Sequence, residues 1–216
     1  MIVLNLKTYP ESIKKALLFT DIAHEVVEET GLRIVVCPPL LLLREAAERF
    51  GDVFSQHTDA EQSGAHTGSI SAELVKEAKA KGSLVNHSEK KIHPDKIKPT
   101  IEELHRNGLE SLVCAGTSGE AVGIAHHSPT FIAVEPPELI GSGVSVSTAK
   151  PEIVINSVKA VKEVNHKITV LCGAGISTKE DVRKALDLGA QGVLLASAFV
   201  KAEDPKAFLL GLASAY

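Results

Sequence analysis

Eight short aliphatic runs recur along the chain at nearly even intervals, and this regularity restricts the fold more than any other feature. Ile2-Val3-Leu4, Ile34-Val35-Val36, Val53-Phe54, Leu84-Val85, Leu112-Val113-Cys114, Ile132-Ala133-Val134, Val170-Leu171-Cys172 and Val193-Leu194-Leu195 are continuous in apolarity, not alternating. Such runs belong to strands covered on both faces, as in parallel sheets. Helical patterns lie between them. The clearest sets Val182, Ala185, Leu186 and Gly189 on one face behind a Ser177-x-x-Glu180 capping box. The spacing predicts eight strands alternating with eight helices.

The period of roughly 27 residues is close to the minimum for a strand, a helix and two short loops. No Pro/Gly/Ser-rich linker interrupts it, which predicts a single domain over residues 1–216. Eight complete units in the α/β class fit a closed (β/α)8 barrel better than an open doubly wound sheet. Two βα loops, about residues 57–70 and 135–149, are longer than the roughly 2–6 residues such connections need, and long loops on one barrel face usually carry function.

Composition narrows the partners. With 216 residues, 44% hydrophobic and 23% charged, the chain is neither disordered nor fibrous. A net charge of −4 offers no broad basic face for nucleic acid. The longest aliphatic stretch, Leu40-Leu41-Leu42-Leu43, is far short of the ~20 residues of a membrane span. Met1 runs straight into Ile2-Val3-Leu4 without a basic region or cleavage pattern, so no signal peptide is expected. Cys37, Cys114 and Cys172 are an odd set without a C-x-x-C pair, each at an aliphatic run, and read as reduced core residues of a cytoplasmic protein.

Four polar residues fall at the carboxyl ends of three strands, where barrel enzymes build their sites. Asn5 and Lys7 close the first run with i, i+2 spacing, which on a strand turns both to one face. His87 opens Ser88-Glu89-Lys90-Lys91 after the fourth run, and Glu135 ends the sixth before Pro136-Pro137. Singly, each has a bland reading as a solvated charge, a turn residue or a structural histidine. Together they combine an amide, a cation, an imidazole and a carboxylate whose desolvation raises its pKa towards that of a general base.

Glycines point to an anion on the same face. Gly141-Ser142-Gly143 lies in the sixth loop, Gly173-Ala174-Gly175-Ile176-Ser177 follows the seventh run and Ala196-Ser197 the eighth. Backbone N–H groups there can approach a phosphate closely. As a dinucleotide fingerprint the Gly173 segment lacks its third glycine and falls in the wrong unit. Adjacent His126-His127 cannot act as i, i+4 ligands, so no metal or cofactor is implied. There is no G-x-S-x-G elbow. Lys7 as a Schiff-base lysine stays open as the alternative.

Asn5-x-Lys7, His87-Ser88-Glu89, Glu135-Pro136 and the glycine lid, in that order on eight βα units, closely resemble the triosephosphate isomerase family. Gly64-Ala65-x-Thr67-Gly68-x-Ile70-Ser71 is similar to the family's interface loop, and Cys114-Ala115-Gly116 to its strand 5 end. The lid Pro136-Pro137-Glu138-Leu139-Ile140-Gly141 and the short length resemble the archaeal branch, without the lid tryptophan of the family's longer members. The resemblance implies a TIM barrel that interconverts dihydroxyacetone phosphate and glyceraldehyde 3-phosphate without a cofactor. It implies Glu135 as base, His87 as neutral electrophile with its pKa lowered by a helix N-terminus, and Lys7 and Asn5 as substrate-holding groups. Glu89 would orient the cation, and amides at Ile140, Gly141, Gly175, Ala196 and Ser197 would hold the phosphate. An aldolase using Lys7, or a barrel that binds phosphometabolites without catalysis, are the other readings. The exposed Gly/Ser/Thr-rich loop of residues 57–70 suggests a homotetramer or homodimer.

Overall fold

The computed structural model describes residues 1–136 and 145–216. Its strands are β1 (Ile2–Asn5), β2 (Ile34–Cys37), β3 (Phe54–Ser55), β4 (Gly82–Val85), β5 (Glu110–Ala115), β6 (Phe131–Val134), β7 (Thr169–Cys172) and β8 (Gly192–Leu195). They form one parallel sheet in the order β2-β1-β8-β7-β6-β5-β4-β3. A single bridge between Val36 and Val53 joins its two ends, so the expected barrel is nearly closed.

The third strand differs from its sequence pattern, because Val53 only bridges and the strand proper is Phe54–Ser55. Val36 faces β3, donating its N–H to the Asp52 carbonyl at 3.1 Å, while Cys37 faces β1, its carbonyl accepting from Leu6 N–H at 3.0 Å and from the Gln56 side chain at 2.9 Å. The next residue on the β3 side is Pro38, which has no N–H to donate, so the β2–β3 ladder stops.

Continuous apolarity along each strand resolves into two cores. Val3, Val35, Phe54, Leu84, Leu112, Phe131, Leu171 and Leu194, one from each strand, fill the barrel with Cys37 and Cys114. Their sequence neighbours, such as Leu4, Val36, Val113, Ile132 and Val193, pack outward against the helices. All three cysteines are buried and free.

The helices are α1 (Pro10–Thr30), α2 (Leu43–Arg49), α3 (Ala72–Glu77), α4 (Pro94–Arg106), α5 (Ser118–Ala125), α6 (Val146–Ala149), α7 (Pro151–Val164), α8 (Lys179–Asp187), α9 (Ser197–Val200) and α10 (Pro205–Ala213). Short 3-10 turns cover Leu40–Leu42 and Ser88–Lys90. Among the described residues, units six and eight thus each carry a short extra helix beyond the eight expected. The capping box of α8 also sits one residue later than its sequence pattern. Thr178 is the N-cap and Asp181 its partner, because the Asp181 carboxylate reaches back to the N–H groups of both Ser177 and Thr178.

At the amino ends of the strands Arg33 spans the barrel mouth. Its guanidinium meets Asp52 at 2.6 and 2.9 Å and Glu110 at 3.2 and 2.5 Å, and stands 5.4 Å from the Phe131 ring. Bidentate pairing on two sides fixes that floor. The polar strand-end residues therefore collect at the opposite, carboxyl end.

Candidate active site

Glu135 follows β6 and is 2% exposed. Its N–H donates to the Ala115 carbonyl at 2.8 Å, continuing the β5–β6 ladder by one residue. The side chain lies flat over Gly173, where a Cβ would stand 2.5 Å from its Cγ. Oε1 is 3.7 Å from His87 Nε2, while buried Oε2 has no hydrogen-bond partner among the described residues. Burial pushes the carboxyl up to about 7, against the pull of the Cys114 thiol and Lys7. Desolvation thus comes from burial at the barrel end, beside the cleft.

His87 is set by the residue before it. Asn86 adopts a left-handed φ of 61°, a conformation asparagine tolerates. Its amide donates to the Cys114 carbonyl at 3.0 Å and to Glu120 Oε1 at 2.9 Å, and its Oδ1 accepts from Ile92 N–H at 3.3 Å. Glu120 also accepts from Lys91 Nζ at 2.6 Å and Gly116 N–H at 2.7 Å. Burial works against that carboxylate, yet these donors hold it below its ordinary value. The ends of β4 and β5 are thereby locked together.

His87 Nδ1 accepts a hydrogen bond from Glu89 N–H at 3.2 Å. That bond assigns the ring proton to Nε2, the nitrogen facing Glu135. Burial first, and then the charge of Lys7, lower the imidazole below its ordinary value, so it stands as a neutral donor. The short 3-10 turn acts through this one N–H, and burial is the larger cause.

Lys7 reaches the site by a different route from its sequence pattern. β1 ends at Asn5, and Lys7 takes a left-handed φ of 48°, so the two do not share a pleat. Such a conformation costs a lysine roughly 1–3 kcal/mol and must be held. Asn5 Oδ1 accepts from Lys7 N–H at 3.1 Å, and Gln56 donates to the Lys7 carbonyl at 3.1 Å. Lys7 Nζ ends 2.7 Å from Glu89 Oε1.

Gly173, Gly175, Ser177, Ala196 and Ser197 line the same cleft as Lys7, His87 and Glu135, with Tyr9 beside them. Gly175 has a φ of 70°, which favours glycine. The N–H groups of Ser177 and Thr178 are turned to Asp181, at 3.1 and 3.0 Å. Ile140 and Gly141 lie outside the described residues, as does the rest of the lid over 137–143. Among the described residues no group of three or more His, Cys, Asp or Glu could hold a metal ion.

The structure thus brings Asn5, Lys7, His87, Glu89 and Glu135 together and sets Gly175, Ala196 and Ser197 along the same cleft. Sequence reasoning missed Tyr9, Gln56, Asn86 and Glu120. For Gln56 the signal is weak, because it stands two residues past the third run, behind Ser55.

A sequence model of the triosephosphate isomerase family matches residues 1–215. The chain belongs to that family. Triosephosphate isomerase of Methanothermus fervidus is 50% identical over 208 residues, covering 95% of this chain and 94% of the relative. That of Methanocaldococcus jannaschii is 49% identical over 206 residues, covering 94% of each. The crystal structure of triosephosphate isomerase from Bartonella henselae is 20% identical, with a TM-score of 0.77 over 100% of this chain and 98% of that one, a likeness of fold. The chain is a triosephosphate isomerase barrel, an isomerase whose substrate is a triose phosphate in glycolysis. Among the described residues no helix is long and apolar enough to cross a membrane.

Proposed function

We propose that Glu135 moves a proton between C1 and C2 of the triose phosphate, through an enediolate. Abstraction next to a carbonyl needs a base, an electrophile and a positive field, and both carbons must see the same base. Glu135 supplies a desolvated carboxylate with an oxygen that has no partner among the described residues. His87, with Nε2–H facing it, polarises the carbonyl as a neutral donor. Lys7 stabilises the enediolate oxygen and the phosphate, Asn5 holds Lys7, and Glu89 orients its ammonium. The phosphate rests on amides at Gly175, Ala196 and Ser197, with Ile140 and Gly141 from the lid.

The observation that carries this reading is the 3.7 Å approach of Glu135 Oε1 to His87 Nε2 at the carboxyl end of the nearly closed barrel. A carboxylate 2.7 Å from Lys7 Nζ supports a fixed charge over a Schiff-base amine. Glu135→Gln should keep the fold and lower kcat by roughly 10²-fold or more; near-normal turnover by the folded variant removes Glu135 from the mechanism.

We also infer a cytoplasmic homo-oligomer, a tetramer or dimer. The loop of residues 57–70 is exposed over Ser63–Gly68, and Leu40, Leu41 and Leu74 border a groove beside Gly68 and Ile70.

A further inference from the structure

We infer that Gln56 is a positioning residue for Lys7, and that the reaction depends on its two amide hydrogens although it touches no reacting atom. The inference rests on the reading that the Lys7 ammonium takes part in catalysis.

Lysine does not settle in the left-handed region unaided, so the φ of 48° at Lys7 must be imposed from both sides of the residue. On the amide side the holder is Asn5, through Oδ1 at 3.1 Å. On the carbonyl side the hydrogen bond comes from Gln56 Nε2, also at 3.1 Å. The same NH2 group donates to the Cys37 carbonyl at 2.9 Å. Both partners are carbonyl oxygens, which accept only, so the orientation of the Gln56 amide is fixed by chemistry. One side chain after β3 therefore ties the ends of β1 and β2.

The consequence is carried along the lysine side chain. Lys7 Nζ sits 2.7 Å from Glu89, and the N–H of Glu89 sets the proton on His87. If the Lys7 backbone relaxes to an ordinary φ, its Cα–Cβ bond swings away and the ammonium leaves that position. A misplacement of about 1 Å is enough to cost up to 10²-fold in rate.

Gln56→Leu removes both donors, and Gln56→Glu replaces them with an oxygen facing two carbonyl oxygens. Both should raise KM and lower kcat together, with kcat/KM down about tenfold or more, because Lys7 serves ground-state binding and the transition state alike. In a Lys7→Met background the same changes should alter kcat/KM less than about twofold, since the group they position is gone. A merely structural role would lower the melting temperature and cost the same factor in both backgrounds. That equal loss, or a folded Gln56→Glu protein with unchanged kcat and KM, overturns the proposal. Unchanged kcat/KM in Lys7→Met alone overturns instead the reading on which it rests. Should Gln56→Leu not fold, Gln56→Glu decides by the same comparison.

Discussion

The Cγ of Glu135 lies 2.5 Å from where a Cβ on Gly173 would stand, and its Oε1 only 3.0 Å away. No side chain can occupy that position while the carboxylate keeps its place, so the glycine is the wall against which Glu135 is aligned. Gly173→Ala should leave the barrel folded, because the clash can be relieved by rotating one side chain. It should turn the carboxylate away from His87 and lower kcat by up to about 10²-fold. Steady-state kinetics alongside a melting curve check this, and an unchanged kcat in the alanine variant contradicts the alignment role.

That wall also marks where the sequence stops being legible. Gly173 reads as part of a phosphate-binding run, while its close approach to Glu135 depends on the pairing of β6 with β7, a contact across 38 residues that no local pattern encodes. The strands and the barrel were readable because burial on both faces leaves continuous apolar runs. Asn5, His87 and Glu135 were readable because polar residues that follow such runs stand out. Strand spacing points to Lys7 for an imperfect reason, since its place follows from a left-handed backbone and not from that spacing. Gln56 was hidden because β3 is only two residues long, and its strand end is poorly marked. Ser177-x-x-Glu180 and Thr178-x-x-Asp181 are both plausible capping boxes, and the side-chain hydrogen bonds of Asp181 decide between them.

Self-association should be sensitive to Leu41. This residue is 93% exposed, and Leu74 beside the same groove is 58% exposed. Fully burying one such side chain is worth about 1.5–3 kcal/mol, and in a two-fold interface every substitution is counted twice. Light scattering should return a mass that is a multiple of 22.9 kDa. Leu41→Lys, which would bring a charge into the contact, should shift it towards the single-chain mass. A wild-type mass of one chain at micromolar concentration contradicts the oligomer, and an unchanged mass in Leu41→Lys moves the interface elsewhere.

Stability should carry the cost of keeping Glu135 ready. Its carboxyl is pushed by burial to about 7 from the ordinary value of 4.5. A carboxyl raised in the folded state binds more protons there than in the unfolded chain, so the fold loses stability as pH climbs from about 4.5 to about 7. Above that window the penalty is complete, of the order of 3 kcal/mol at about 1.36 kcal/mol per pKa unit. Below it the penalty is absent. Gln resembles the neutral acid in shape and cannot ionise, so Glu135→Gln should melt at the same temperature as the wild type at pH 4 and higher at pH 8. His87 bears the opposite dependence, its lowered value costing stability as pH falls towards about 4, so the comparison is sharpest in the upper part of the window, where His87 is neutral in both proteins. The difference in melting temperature, followed from pH 4 to pH 8, should therefore rise through the window and then level off. A difference that stays flat across that range would mean that Glu135 does not titrate as a buried carboxyl, and would remove the physical basis for its use as a base near neutral pH.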